Sequence, residues 1–182
     1  MSRGCFIAVV GPSGAGKDSL IRGAVQVRPD LILARRAITR PRAPESEDFE
    51  SLADAVFTTR KNAGNFVLDW QAHGLRYGIP GGVELDLAAG RSVVANLSRG
   101  VIDAARTRFD PFQVIVVTAP ILVLAERLSL RGRETAEEIA ERLQRAEHAA
   151  PQGPDVHVVE NSGTIEEGVS SFLAVLPQPV SG

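Results

Sequence analysis

The apolar run CFIAVV at residues 5–10 passes directly into GPSGAGKDSL at residues 11–20. A continuous apolar stretch suits a parallel strand buried on both faces. Gly11, Gly16 and Lys17 stand at the spacing G-x-x-x-x-G-K-[ST], a loop whose backbone N–H groups cradle phosphate. Gly14 and Gly16 allow the backbone to turn its N–H groups inward. The helix expected from Lys17 to Val27, ending before Pro29, adds the positive end of its dipole at the same place. The spacing therefore predicts a nucleotide site made of Gly11, Pro12, Ser13, Gly14, Ala15, Gly16, Lys17, Asp18 and Ser19, with Lys17 reaching the β- and γ-phosphates. A loop in this setting, strand before and helix after, commits the chain to an α/β architecture.

One position breaks the pattern. The residue after Lys17 should carry a hydroxyl for the magnesium ion of the bound nucleotide, and it is Asp18. The hydroxyl arrives one residue late, at Ser19, which turns it about 100° around the helix and away from the phosphates. A carboxylate beside polyphosphate is repelled unless a cation lies between them, and magnesium takes one or two carboxylates together with phosphate oxygens. Asp18 is therefore a candidate magnesium ligand, direct or through water; the competing reading is a carboxylate that only complements the helix dipole. P-loop enzymes commonly hold magnesium with an acid at the end of a neighbouring strand. The corresponding segment here is SVVANLSRG, and residues 91–102 contain no Asp or Glu. An acid absent there and present at 18 favours the metal role.

Strands are expected at 31–39, 92–97, 112–119 and 156–161, with a hairpin over 65–80 turning at His73-Gly74. Helices are expected at 51–63, 98–109 (Ser98 as cap), 120–132, 135–150 and 164–176, the last two opened by Thr135/Glu138 and Thr164/Glu167 capping boxes. Alternating strands and helices, with no long linker or repeat, give one domain over 1–182 with a mostly parallel sheet. The net charge of −2 argues against a general nucleic-acid or membrane binder. No apolar run approaches ~18 residues, so no membrane span is expected. The first apolar run reads as a strand and not a signal peptide, and a cytoplasmic location is the expectation. Cys5 is the single cysteine, which excludes an intrachain disulfide and leaves no structural zinc cluster.

In this slightly acidic chain two arginine clusters stand out. Arg35, Arg36, Arg40 and Arg42 fall within eight residues, and Arg127, Arg131 and Arg133 within seven. Arginine pairs bidentately with phosphate, and phosphoryl transfer needs cations on the moving group and on the acceptor. The plain alternative for each cluster is a solvated face. It is the better reading for Arg35 and for Arg142, which has Glu138 one turn before it. Arg40 and Arg133 lie in loops at the expected mouth of the sheet and are candidates for phosphate. His73 suits a hairpin turn, His148 and His157 the surface, and Trp70 the core.

The segments VGPSGAGKDSL, ITRPRAPESEDF, FVLDWQAHGLRYGIP and LSLRGRETAEEIAERL follow the order and spacing of the guanylate kinase superfamily, which the chain resembles from about residue 5 to residue 176. The resemblance implies a P-loop NTPase-like three-layer fold, a small acceptor-binding subdomain at about 33–85 and a lid at about 127–147. It implies ATP and Mg2+, an acceptor phosphate held by Arg36, Arg40, Arg42 and Tyr77, and catalysis by Lys17, Arg131 and Arg133. Several positions depart from guanylate kinases. Asp69 stands where they read guanine with a Glu, Ile79-Pro80 where they use a hydroxyl, Asp48-Phe49 where they have Asp-Tyr, and ANLSR where they have an Asp-rich strand end. A site that hydrogen-bonds a base cannot lose these groups and keep its discrimination. Within the superfamily, GPSGAGKDSL, RAITRP and VVANLSR are similar to the ribose 1,5-bisphosphate phosphokinase family of phosphonate degradation. That similarity implies transfer of the γ-phosphoryl of ATP to the 1-phosphate of ribose 1,5-bisphosphate. The partner is then a small sugar phosphate, with no nucleic acid and no membrane; a homodimer stays open. Two rivals remain at this point: a guanylate-kinase-type nucleoside monophosphate kinase, and a non-catalytic binding module.

Overall fold

The computed structural model describes residues 3–41, 48–129, 139 and 150–179. Five strands form a wholly parallel sheet: β1 (Phe6–Val10), β2 (Leu31–Leu33), β7 (Ser92–Asn96), β8 (Phe112–Thr118) and β9 (Val156–Glu160), in the order β2-β7-β1-β8-β9. β1 sits in the middle, with Ala8 opposite Ala95 on one side and Val114 on the other, and all five of its residues are buried. That position is what its unbroken apolar run requires. On one face lie α1 (Lys17–Val27), α5 (Ile121–Ser129) and α6 (Ile165–Ala174), which supply Leu20, Leu124, Leu128 and Phe172 to a core with Ile7, Val9, Ile115 and Val117. On the other face lie α3 (Val83–Ala88) and α4 (Ile102–Arg108), packing Leu87, Ile102 and Ala105 on Phe6, Val93 and Val114. Phe6 stacks on Phe109 with ring centres 4.0 Å apart. The result is the expected three-layer α/β sandwich.

A second sheet of four short strands projects from the same chain: β3 (Ala37–Ile38), β4 (Glu50–Ser51), β5 (Phe66–Ala72) and β6 (Leu75–Pro80), in the order β4-β3-β6-β5. The β5–β6 hairpin turns at His73-Gly74, both at positive φ, as a tight two-residue connection demands. α2 (Asp54–Asn62) packs Phe57 against Phe66 of this sheet, 4.7 Å between ring centres.

Two expectations are corrected. The single strand over 31–39 is two strands in two sheets, because Ala34-Arg35-Arg36 carries the chain from one sheet to the other. Ser98 does flank the 3-10 turn Arg99–Val101 that precedes α4, but its side chain caps nothing; its hydroxyl instead accepts the Trp70 indole N–H at 2.8 Å. α3 was not expected at all. The Thr164/Glu167 capping box is present in both directions. The expected 135–150 helix with its Thr135/Glu138 box, and Arg142 and His148, lie outside the described residues. Among the described residues no helix is long and apolar enough to cross a membrane.

Candidate active site

All five strands of the main sheet run the same way, so the chain leaves β1, β7, β8 and β9 at one edge, the usual location of an α/β ligand site. The 11–17 loop occupies that edge. A Cβ at Gly11 would lie 2.1 Å from the Val117 carbonyl oxygen, and Gly16 holds φ near 86° with room for a Cβ denied by Asn161 Nδ2 at 2.5 Å. These two glycines are thus set by β8 behind the loop and by the β9–α6 connection beside it. Lys17 Nζ folds back over the loop and donates to the carbonyls of Gly11 (2.9 Å) and Pro12 (3.0 Å). Asn161, only 5% exposed, donates from Nδ2 to the Ala15 carbonyl at 2.8 Å, while its own N–H donates to Thr118 O at 2.7 Å. From α5, Arg127 Nη1 reaches the Gly14 carbonyl at 3.3 Å. The carbonyls of Gly11, Pro12, Gly14 and Ala15 are each held by a side chain, while the Ala15 N–H donates to the Pro12 carbonyl at 3.3 Å.

Asp18 lies in the first turn of α1, half-buried, and Ser19 is exposed on the helix, turned away as its position one residue later requires. Asp18 Oδ1 accepts from Asn96 Nδ2 at 2.9 Å. Asn96 ends β7, where an acid is expected and missing. The two positions are in contact, with the carboxylate on the helix side and an amide on the strand side. Among the described residues no cation pairs with the Asp18 side chain, and no group of three or more acid, His or Cys side chains could hold a metal alone. One carboxylate with a neutral partner suits magnesium that takes its remaining ligands from phosphate and water.

Arg36 stands at the crossing between the sheets and is 8% exposed. Its Nη1 donates to the Asn96 carbonyl at 2.9 Å, and its guanidinium lies 5.6 Å from the Tyr77 ring centre. Tyr77 stacks on Trp70 at 5.2 Å and joins Ile38 and Phe49 in a small core of the second sheet. Arg40 also lies against this core, 4.5 Å from the Phe49 ring centre. Asn96 thereby links Asp18 to Arg36, and Arg36, Arg40 and Tyr77 gather on one small sheet. Arg35 pairs with Asp48 at 3.1 Å in the open, the surface role expected of it. Arg42, Arg131 and Arg133 lie outside the described residues.

Asn96 and Asn161 were not identified from sequence as site residues. Asn96 has a signal, the missing acid at its strand end; Asn161 has none, because its role depends on space left by distant glycines. Three other residues can be placed against the site. Burial, with Asp110 adding to it, pushes the Cys5 thiol up to about 11, which makes it a poor nucleophile. Asp69 is tied to Lys61 by an ion pair, and Ile79 is fully buried. Ile79 has no side-chain polar atom to offer a base.

No family model matches the chain. It is 48% identical over 176 residues to the ribose 1,5-bisphosphate phosphokinase PhnN of Acidiphilium cryptum, covering 95% of this chain and 92% of that one. It is 45% identical over 174 residues to the bifunctional ribose 1,5-bisphosphokinase-thymidine phosphorylase of Cupriavidus necator, where 95% of this chain spans only 29% of the relative. Among solved structures, the guanylate kinase from Anaplasma phagocytophilum superposes with a TM-score of 0.67 at 17% identity, covering 96% of this chain and 85% of that one, which establishes a shared fold. Identity approaching one half along nearly the full length of both chains places the protein in the ribose 1,5-bisphosphate phosphokinase family, on a guanylate-kinase-like fold.

Proposed function

We propose that the protein transfers the γ-phosphoryl group of ATP to the 1-phosphate of ribose 1,5-bisphosphate, giving 5-phosphoribosyl 1-diphosphate and ADP. The observation that carries this reading is the 48% identity to the Acidiphilium enzyme over 92% of its length. The site supports it: a P-loop with its lysine, a carboxylate at 18, and three acceptor-side residues on the second sheet.

In this reading residues 11–17 cradle the ATP phosphates, and Asp18 and Ser19 follow in the first turn of α1. Lys17 leaves the Gly11 and Pro12 carbonyls for the β- and γ-phosphates when nucleotide enters. Magnesium, when bound, neutralises phosphate charge; Asp18 holds it, directly or through water. The four-stranded sheet serves as the acceptor-binding subdomain (about 33–85), with Arg36, Arg40, Arg42 and Tyr77 as its contacts. Residues 127–147 form the lid, and Arg131 and Arg133 meet the transferring group. An oxygen of the acceptor 1-phosphate attacks the γ-phosphorus, a P–O bond forms there, and the bond to the β-phosphate oxygen breaks as ADP leaves. The attacking phosphate is already ionised, so no proton has to be removed and no general base is required. Catalysis is then positioning and charge neutralisation. The enzyme works as a soluble cytoplasmic kinase on a small sugar phosphate.

An assay with ATP, magnesium and either ribose 1,5-bisphosphate or GMP, following ADP release, tests this. Turnover of the bisphosphate with little of GMP is expected. GMP turnover at a comparable rate restores the guanylate kinase reading, and inactivity with both supports a binding module.

A further inference from the structure

Asn161 is a buried polar side chain to which the proposed reaction gives no part. It follows β9 directly and leads toward α6. Its backbone N–H donates to the Thr118 carbonyl, which fixes it to the end of β8. Its side-chain amide then lies between two glycines of different helices. A Cβ on Gly16, which caps α1, would stand 2.5 Å from Nδ2, and a Cβ on Gly168 of α6 would stand 2.5 Å from Oδ1. Real Cβ atoms essentially never come this close, so both helices forgo a side chain where this amide sits. From that slot Nδ2 donates to the Ala15 carbonyl at 2.8 Å, across 146 residues of sequence. An apolar side chain would fill the same space without needing a partner. What Asn161 adds is a donor aimed at the phosphate loop.

The carbonyl it holds belongs to the peptide that joins Ala15 to Gly16. That peptide is trans; among the described residues the cis bond is Asp110-Pro111. A planar trans peptide points its C=O and its N–H in opposite directions. Holding the Ala15 carbonyl on Asn161 therefore turns the Gly16 N–H to the opposite side of the loop. Glycine takes either sign of φ at little cost, so a peptide ending on Gly16 needs an outside group to set its orientation. Gly16 immediately precedes Lys17 at the N-terminus of α1, where backbone N–H groups meet phosphate. We propose that Asn161 is a positioning residue for the nucleotide, locking the Ala15–Gly16 peptide so that the Gly16 N–H faces the ATP phosphates. The other side chains on loop carbonyls differ from it. Lys17 leaves Gly11 and Pro12 when nucleotide enters, in the functional reading above, and Arg127 is only half-buried. Asn161 is walled in and keeps its carbonyl with nucleotide absent or bound. The inference rests on the phosphate-loop part of that reading and does not depend on which acceptor is used.

Calorimetry with inorganic tripolyphosphate and magnesium tests this, because that ligand has neither base nor sugar. Asn161→Ala should bind it about 10-fold or more weakly than wild type, the worth of a hydrogen bond to a charged group. Asn161→Asp keeps the shape but replaces the donor with an ionised acceptor. It should bind more weakly still, since the carboxylate draws the Gly16 N–H toward itself. Thermal melting of both variants accompanies the titrations. A merely structural Asn161 would lower the melting temperature and leave the tripolyphosphate affinity of the folded protein unchanged, which overturns the assignment. In steady-state kinetics Asn161→Ala should raise the ATP KM and leave the acceptor KM nearly alone; an equal rise in both counts against it. The wild-type protein supplies a measurement that needs no variant to fold. On addition of tripolyphosphate the Gly16 amide proton should move downfield in the NMR spectrum, as it enters a charge-assisted hydrogen bond. A Gly16 signal that stays in place overturns the assignment. Failure of the acceptor reading looks different: no turnover of ribose 1,5-bisphosphate, with tripolyphosphate binding and its loss in Asn161→Ala both intact.

Discussion

Asp18 and Asn96 share one hydrogen bond, and in the proposed reading they stand where P-loop kinases usually place a helix hydroxyl and a strand-end acid. The exchange predicts a specific set of variants. Asp18→Ala should lower kcat by about 10²-fold, in the range seen when a charge-stabilising group is removed, with the melting temperature little changed because the residue is half-exposed. Asp18→Ser should recover part of the rate, and Asp18→Ser with Asn96→Asp should recover more, since the pair then has the usual arrangement. Nucleotide affinity titrated with and without magnesium checks the metal role apart from turnover. Near-normal rates for Asp18→Ala at low magnesium would return the carboxylate to a dipole role. On the acceptor side, Arg40→Ala should mainly raise the acceptor KM, and Arg133→Ala mainly lower kcat, by ~10²-fold, if the lid arginine meets only the transition state. Steady-state kinetics separates the two. Asp18 was legible in sequence because a mismatched motif is visible. Its partner was legible only as an absence, and their contact not at all, because 78 residues separate them.

At the scale of elements, α1 was legible to its bounds, from a glycine-ended loop to the proline after it. α3 was not: six residues with no strong period, directly after two glycines, give too little pattern to distinguish a short helix from a turn. The split between β2 and β3 was hidden because both halves are apolar and the break between them consists of Ala and Arg, which carry no turn signal. α6 shows why a residue can contradict propensity. Gly168 sits inside this helix, where Ala would ordinarily gain about 1 kcal/mol. A Cβ there would lie 2.5 Å from Asn161 Oδ1 and 2.8 Å from Leu20 Cδ2. Gly168→Ala should therefore destabilise the fold, by roughly 1–3 kcal/mol as overpacked cores do, and should displace Asn161 from the Ala15 carbonyl. Denaturant unfolding together with nucleotide affinity checks this: both should fall. A stabilised protein with unchanged affinity would mean the Asn161 contact is slack.

Over the whole molecule, the contacts that join the two sheets among the described residues include Arg36 on Asn96, Trp70 on Ser98, and the core that Leu68 and Ile79 share with the main sheet. Away from the site, Arg106 of α4 grips Asp155 ahead of β9 through two hydrogen bonds, 2.8 and 3.1 Å. Hydrogen bonding from Arg106 is the main cause that holds the Asp155 carboxyl below its ordinary value. A depressed carboxylate contributes stability at neutral pH that is lost as pH falls through its folded value. Asp155→Asn should then cost on the order of 1 kcal/mol at pH 7, and the gap to wild type should close below about pH 4. Unfolding midpoints across pH measure it. The layer architecture was legible from alternation alone, whereas the joining of the two sheets at Asn96 and Ser98 depends on tertiary contacts no local pattern encodes. The central claim is the identity of the product, and phosphorus NMR of the completed reaction tests it most directly. With ATP, magnesium and ribose 1,5-bisphosphate, the account predicts that the 1-phosphate singlet gives way to two coupled diphosphate signals while the 5-phosphate singlet persists. Phosphorylation at any other position, or a mixture in which only GMP yields a new diphosphate, would contradict it.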